Sequence, residues 1–237
     1  MMKEKVASYY KDAASVVDAG LRQYMLNVFS YMSAGLAVTA LVSYFVSTSP
    51  SLMAFLFYNP VVFWIVALVP LGLSIYLAAR VDRMSSDTAR MLFFAYAFCL
   101  GISLSSIFVV YSGISIVSSF FVTASMFLAM VIYGYATDKD LSGMGSVLMM
   151  GLIGIICASI VNMFVSSSTF ALVVSLIGVV IFTGLTAYDA QIIKSYYFEA
   201  DTVELSEKKA ILGALRLYLD FINLFLNMLR LLGYRRD

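Results

Sequence analysis

Charged residues fall along this chain in clumps, and between the clumps lie three long runs with no Asp, Glu, Lys or Arg. Gln23 to Ala79 is 57 residues, Met91 to Thr137 is 47 and Leu141 to Tyr188 is 48. A single membrane-spanning helix takes about 20 apolar residues, so each run holds two helices and a turn. Turn residues mark the divisions at Ser47 to Pro60, at Tyr111-Ser-Gly and at Ser166-Ser-Ser-Thr. The pattern predicts helices over 25–46, 61–80, 91–110, 114–136, 146–165 and 170–194. A seventh apolar segment, 211–232, differs in carrying Arg216, Asp220 and Arg230. Its polar residues Arg216, Asp220, Asn223, Asn227 and Arg230 recur at spacings of 4, 3, 4 and 3, which is one face of a helix. Apolar side chains cover its other faces, as a helix surrounded by other helices requires.

The expected fold is therefore an all-α integral membrane protein of seven transmembrane helices, six wrapped around a central, polar-seamed seventh. The expected domains are a cytoplasmic N-terminal tail (1–24), the transmembrane domain (25–232) and a short C-terminal tail (233–237). Asp18 is the expected N-cap of the first helix. The tail has seven charges of mixed sign, unlike the front of a signal peptide, so helix 1 is expected to stay as an anchor.

Composition sharpens this picture. Apolar residues make up 62% of the chain and charged residues 12%, about half the charged share of soluble domains. Fifteen cations against fourteen anions leave +1, which gives no footprint for nucleic acid. There is no histidine, so a proton sensor must be built from carboxylates. Cys99 and Cys157 have no metal-ligand spacing. Cations gather before helix 1, between helices 2 and 3, after helix 4 and after helix 6, while the turns after helices 1, 3 and 5 have none. The positive-inside rule then places the N terminus in the cytoplasm. Arg230, Arg235 and Arg236 oppose that rule if segment 211–232 crosses fully, so the segment either crosses against the rule or re-enters; its hydrophobic length favours a crossing.

Asp189 and Asp220 are the acids within apolar segments. An Asp at a helix centre costs roughly 2.5–3.5 kcal/mol to insert, so each should face protein or water. Counted by helix rise from Lys194 and from Arg216, the two lie about 7 Å and 6 Å inside the same interface and can share a level. Arg80, at the end of helix 2, is the nearest candidate counter-ion. Thr183, Thr186 and Asp189 form a weaker seam on helix 6; the competing fate of those hydroxyls is to bond their own backbone. The acidic run Glu199, Asp201, Glu204 and Glu207 reads as hydrated loop.

At these two segments the chain resembles the Bax inhibitor-1 family, through Ala187-Tyr-Asp-Ala-Gln-Ile-Ile-Lys194 and Leu217-Tyr-Leu-Asp-Phe-Ile-Asn-Leu-Phe-Leu-Asn-Met-Leu-Arg230. Asp18-Ala-Gly-Leu-Arg-Gln-Tyr-Met25 is similar to bacterial members. The resemblance implies six helices around a seventh, a pH-sensing dyad at Asp189 and Asp220, a latch at Arg80 or Arg83, and a pH-dependent calcium leak. No acid lies among Val61 to Ala79, so no helix 2 carboxylate role carries over.

The expected function is thus a pH-sensitive calcium leak channel, with Arg216, Asn223, Asn227, Thr183 and Thr186 lining the pore. Asp189 and Asp220 would bind calcium weakly, as transported ion and not as cofactor, since calcium wants six to eight oxygens. The alternative is a membrane-embedded regulator of a partner such as an inner-membrane protease, gripped through the N-terminal tail. Enzymatic activity is not expected: aspartyl proteases also pair aspartates, but no Gly-x-Gly-Asp-like stretch surrounds either acid. The expected location is multi-pass in the cell membrane, the inner one if bacterial, with lipid, calcium and protons as the partners.

Overall fold

The computed structural model describes residues 2–234, with side chains from Ala19 onward. Among these residues nine α-helices run in chain order: α1 (Met2–Ser47), α2 (Pro50–Tyr58), α3 (Pro60–Arg80), α4 (Ser86–Leu104), α5 (Ile107–Val110), α6 (Gly113–Ala136), α7 (Ser142–Val165), α8 (Ser168–Ser195) and α9 (Val203–Leu232). Among them, seven segments are long and apolar enough to cross a membrane. Their boundaries are chemically marked. Ser49, Asn59, Ser85, Ser112, Ser167 and Thr202 accept hydrogen bonds from amides of the first turn of the helix that follows. Pro50 and Pro60 sit where a missing N–H costs nothing. Ser166, at φ 54°, ends α7 in the left-handed conformation.

Three elements differ from the expected plan. α1 starts at Met2 and passes through Asp18, so that residue is not an N-cap and the 24/25 boundary is not a helix end. The side chains of the N-terminal tail to Asp18, the proposed grip for a partner, lie outside the described residues, as do Arg235, Arg236 and Asp237. The segment between Ser47 and Pro60 is helical because Ser49-Pro50 supplies a cap and a preset first turn. α9 starts at Val203, not 211, under the Thr202 cap, so Glu204 and Glu207 belong to its first turns.

Pro70, in the middle of α3, cannot donate to the Val66 carbonyl, and a bare carbonyl is costly in lipid. The Ser103 hydroxyl of α4 donates to that carbonyl at 2.6 Å, which fastens the two helices at the break. Close approaches complete the packing. A Cβ on Gly134 would lie 2.1 Å from the Ala187 carbonyl oxygen, so α6 and α8 touch backbone to backbone there.

Helix α9 is central. Of its most apolar window 72% is buried, against 0% for α7. It packs on α8, α1, α6 and α4, with Tyr218 fully buried and its hydroxyl 2.5 Å from that of Thr39. Lys208 near its start donates to the Met84 carbonyl, in the cation-rich turn after α3. At its other end Ser112 N–H donates to the Tyr234 carbonyl, and Tyr234 N–H to Ser115 Oγ, in the cation-free turn before α6. α9 therefore runs unbroken from one end of the bundle to the other.

Candidate functional site

The polar seam of α9 opens onto a cavity of about 1120 Å³. Arg216, Asp220, Asn223, Asn227 and Arg230 all line it, as does Asp189 from α8. The two helices come together closely because a side chain is missing at Gly178, where a Cβ would meet the Asn227 amide at 2.7 Å. The spacing read from the sequence thus becomes one wall of a chamber, with Asp189 and Asp220 on the same level.

Asp220 is 5% exposed, and its Oδ2 receives no hydrogen bond. The carboxyl of Asp189 is its neighbour across the packed helices α8 and α9. On its other side Asp189 Oδ1 takes a bond from Arg216 Nη1 at 3.2 Å. Arg216 in turn lies over the Tyr196 ring, 5.9 Å from its centroid. The site is a chain of three groups: guanidinium, carboxyl, carboxyl.

Arg80, Arg83, Thr183 and Thr186 fall outside this chamber. Arg80 is exposed and makes no ion pair among the described residues, and Arg83 is likewise exposed. The cation at the dyad is Arg216, from the same helix as Asp220. Thr183 and Thr186 donate to the Val179 and Phe182 carbonyls at 2.6 and 2.7 Å and do not line the cavity. Asn223 and Asn227 donate to the Leu219 and Asn223 carbonyls. That spends their NH₂ groups on their own helix.

One feature was not legible in the acidic run. Glu207 is no hydrated loop residue: it pairs with Arg90 of α4 and accepts from the Tyr31 hydroxyl of α1 at 2.7 Å. Asp201 pairs with Lys209. Among the described residues no three His, Cys, Asp or Glu side chains converge as a metal cage.

The family described as "Inhibitor of apoptosis-promoting Bax1" matches residues 21–237. The chain belongs to the Bax inhibitor-1 family. It is 47% identical over 220 residues to the inner membrane protein YbhL of Escherichia coli, covering 92% of this chain and 94% of that one. A protein of Rickettsia prowazekii is 46% identical over 220 residues, covering 93% of each, and one of Borreliella burgdorferi 46% over 216 residues, covering 91% and 93%. With seven spanning helices and such a relative, this Bax inhibitor-1 family member is a multi-pass inner-membrane protein.

Proposed function

We propose that this protein is a pH-responsive calcium leak of the inner membrane, gated at the Asp189–Asp220 pair. The observation that carries the reading is Asp220: a carboxyl buried in a chamber, with a bare Oδ2 and another carboxyl as its neighbour. Two such groups in a medium of low dielectric cannot both ionise freely, and they trade one proton between them. Arg216 holds Asp189 while that carboxyl is charged. A second proton on the dyad cancels the attraction, frees the guanidinium and opens the cation-rich end of the chamber. Acidification therefore opens and alkalinisation closes.

The donor set suits passage and not storage. Arg216 engages Asp189 Oδ1, so three carboxylate oxygens and the side-chain oxygens of Asn223 and Asn227 are left to face an ion, short of the six to eight ligands calcium prefers. An ion completes its shell with water and leaves easily. Paired acids here act as a sensor, with no catalytic role.

The test is calcium flux into liposomes holding the purified protein, from mildly acid to mildly alkaline pH. Asp189→Asn and Asp220→Asn should each flatten the pH response, and Arg216→Gln should leave flux high at alkaline pH. Wild-type pH dependence in both Asn variants would refute the dyad.

A further inference from the structure

The dyad's chamber has a side door. α3 packs on α4 and α7 packs on α8, and no comparable packing joins α3 to α7. The cavity is lined from both, by Leu71 and Ser74 of α3 and by Ile156 and Ile160 of α7. α7, apart from Gly145, offers no buried residue to the bundle. Leu71, Ile156 and Ile160 are each more than half exposed, so the chamber meets lipid between these helices.

Its two halves differ. Toward the cation-rich end it carries Asp189, Arg216 and Asp220; toward the other end its walls are Ile156, Ile160, Val174 and Leu226, with Arg230 at the limit. From Asn223 to Arg230 is seven residues, about 10 Å of helix rise, within the roughly 15 Å hydrocarbon depth of one leaflet. Arg230 is exposed and makes no ion pair among the described residues. Ala171, in the first turns of α8, lines the same stretch. A slot of single-leaflet depth with apolar walls and an unneutralised cation at its rim is complementary to an anionic head on an apolar tail.

We propose that this groove binds one anionic phospholipid of the extracytoplasmic leaflet. Its phosphate sits on Arg230, and one acyl chain lies along Ile156, Ile160, Val174 and Leu226. The bound lipid is then the missing wall of the chamber's outer half. The site stands on the groove and Arg230 and does not depend on calcium conduction.

Native mass spectrometry of the purified protein, titrated with dioleoyl-phosphatidylglycerol or dioleoyl-phosphatidylcholine, tests this. The expected result is a one-to-one adduct that favours phosphatidylglycerol. Arg230→Gln should lower its affinity by about tenfold, the loss of one charge-assisted contact, while Arg230→Lys retains most of it. Ile156→Trp, which fills the groove at a lipid-exposed position, should also lower occupancy, and Arg80→Gln, away from the groove, should not. Excess inorganic phosphate should fail to displace the lipid. The proposal is overturned if Arg230→Gln and Ile156→Trp both bind like wild type, or if phosphate alone competes. It is equally overturned if the groove is filled by a second copy, seen as a lipid-free dimer.

Discussion

Pro70 leaves a carbonyl without its donor in the one environment that supplies no replacement, and Ser103 supplies it from the next helix. Ser103→Ala should therefore cost about 1–3 kcal/mol, the penalty for stranding a buried acceptor, seen as a lower midpoint of thermal unfolding in detergent. Ser103→Thr should largely restore it, since the hydroxyl remains. The same reasoning about unpaired groups made Asp189 and Asp220 legible in sequence, because an acid in an apolar run must meet something polar. The identity of the counter-ion was not legible. Arg216 is four residues before Asp220, the spacing of a pair along one helix, yet its guanidinium reaches across to Asp189 on α8. Which neighbour a long side chain selects depends on the packing angle of two helices, and no spacing within one helix encodes it.

Elements were legible wherever polarity changed sharply. The divisions at Ser47 to Pro60, Tyr111 and Ser166 coincide with helix ends because a lipid-spanning helix must stop where turn and cap residues cluster. Charged segments at the cation-rich end hid their helices, since a mixed-charge run reads alike whether coiled or hydrated. Glu207 shows the difference: a helical turn aims it at Arg90 and Tyr31, binding α9 to α4 and α1. The start of α7 has a titratable tie of its own. Asp140 accepts from the Ser142 hydroxyl and from the Ser142 amide at 2.9 Å, and these bonds hold its carboxyl below the usual 3.8. A depressed folded-state value stabilises the fold above the unfolded value and stops doing so as pH falls through the folded one. Asp140→Asn should thus melt slightly lower than wild type at neutral pH. The two melting curves should converge once pH drops below the carboxylate range, and a difference that persisted in acid would assign the effect to something other than charge.

At the scale of the whole molecule the open question in the sequence was whether the last segment crosses, because Arg230 opposes the positive-inside rule. α9 is 30 residues long, about 45 Å at helical rise, more than the roughly 30 Å of hydrocarbon to be spanned. Its first turns bond to the turn after α3 and its end to the turn before α6, at opposite ends of the bundle. The rule bends here because orientation is usually dominated by the first helices, with their cations already placed, and a central helix packed on α1, α4, α6 and α8 is positioned by that packing. Cysteine labelling in whole cells checks this, in a background with Cys99 and Cys157 replaced by Ala. A membrane-impermeant maleimide should reach Gly113→Cys, where a Cβ meets nothing within 4 Å, and Tyr234→Cys, which is 81% exposed. Asp87→Cys, in the first turn of α4, should react only after the membrane is permeabilised. If Tyr234→Cys sided with Asp87→Cys, α9 would have to turn back within the membrane. The bonds joining Tyr234 to Ser112 and Ser115 could not then form, and the chamber would lose the wall that carries its seam.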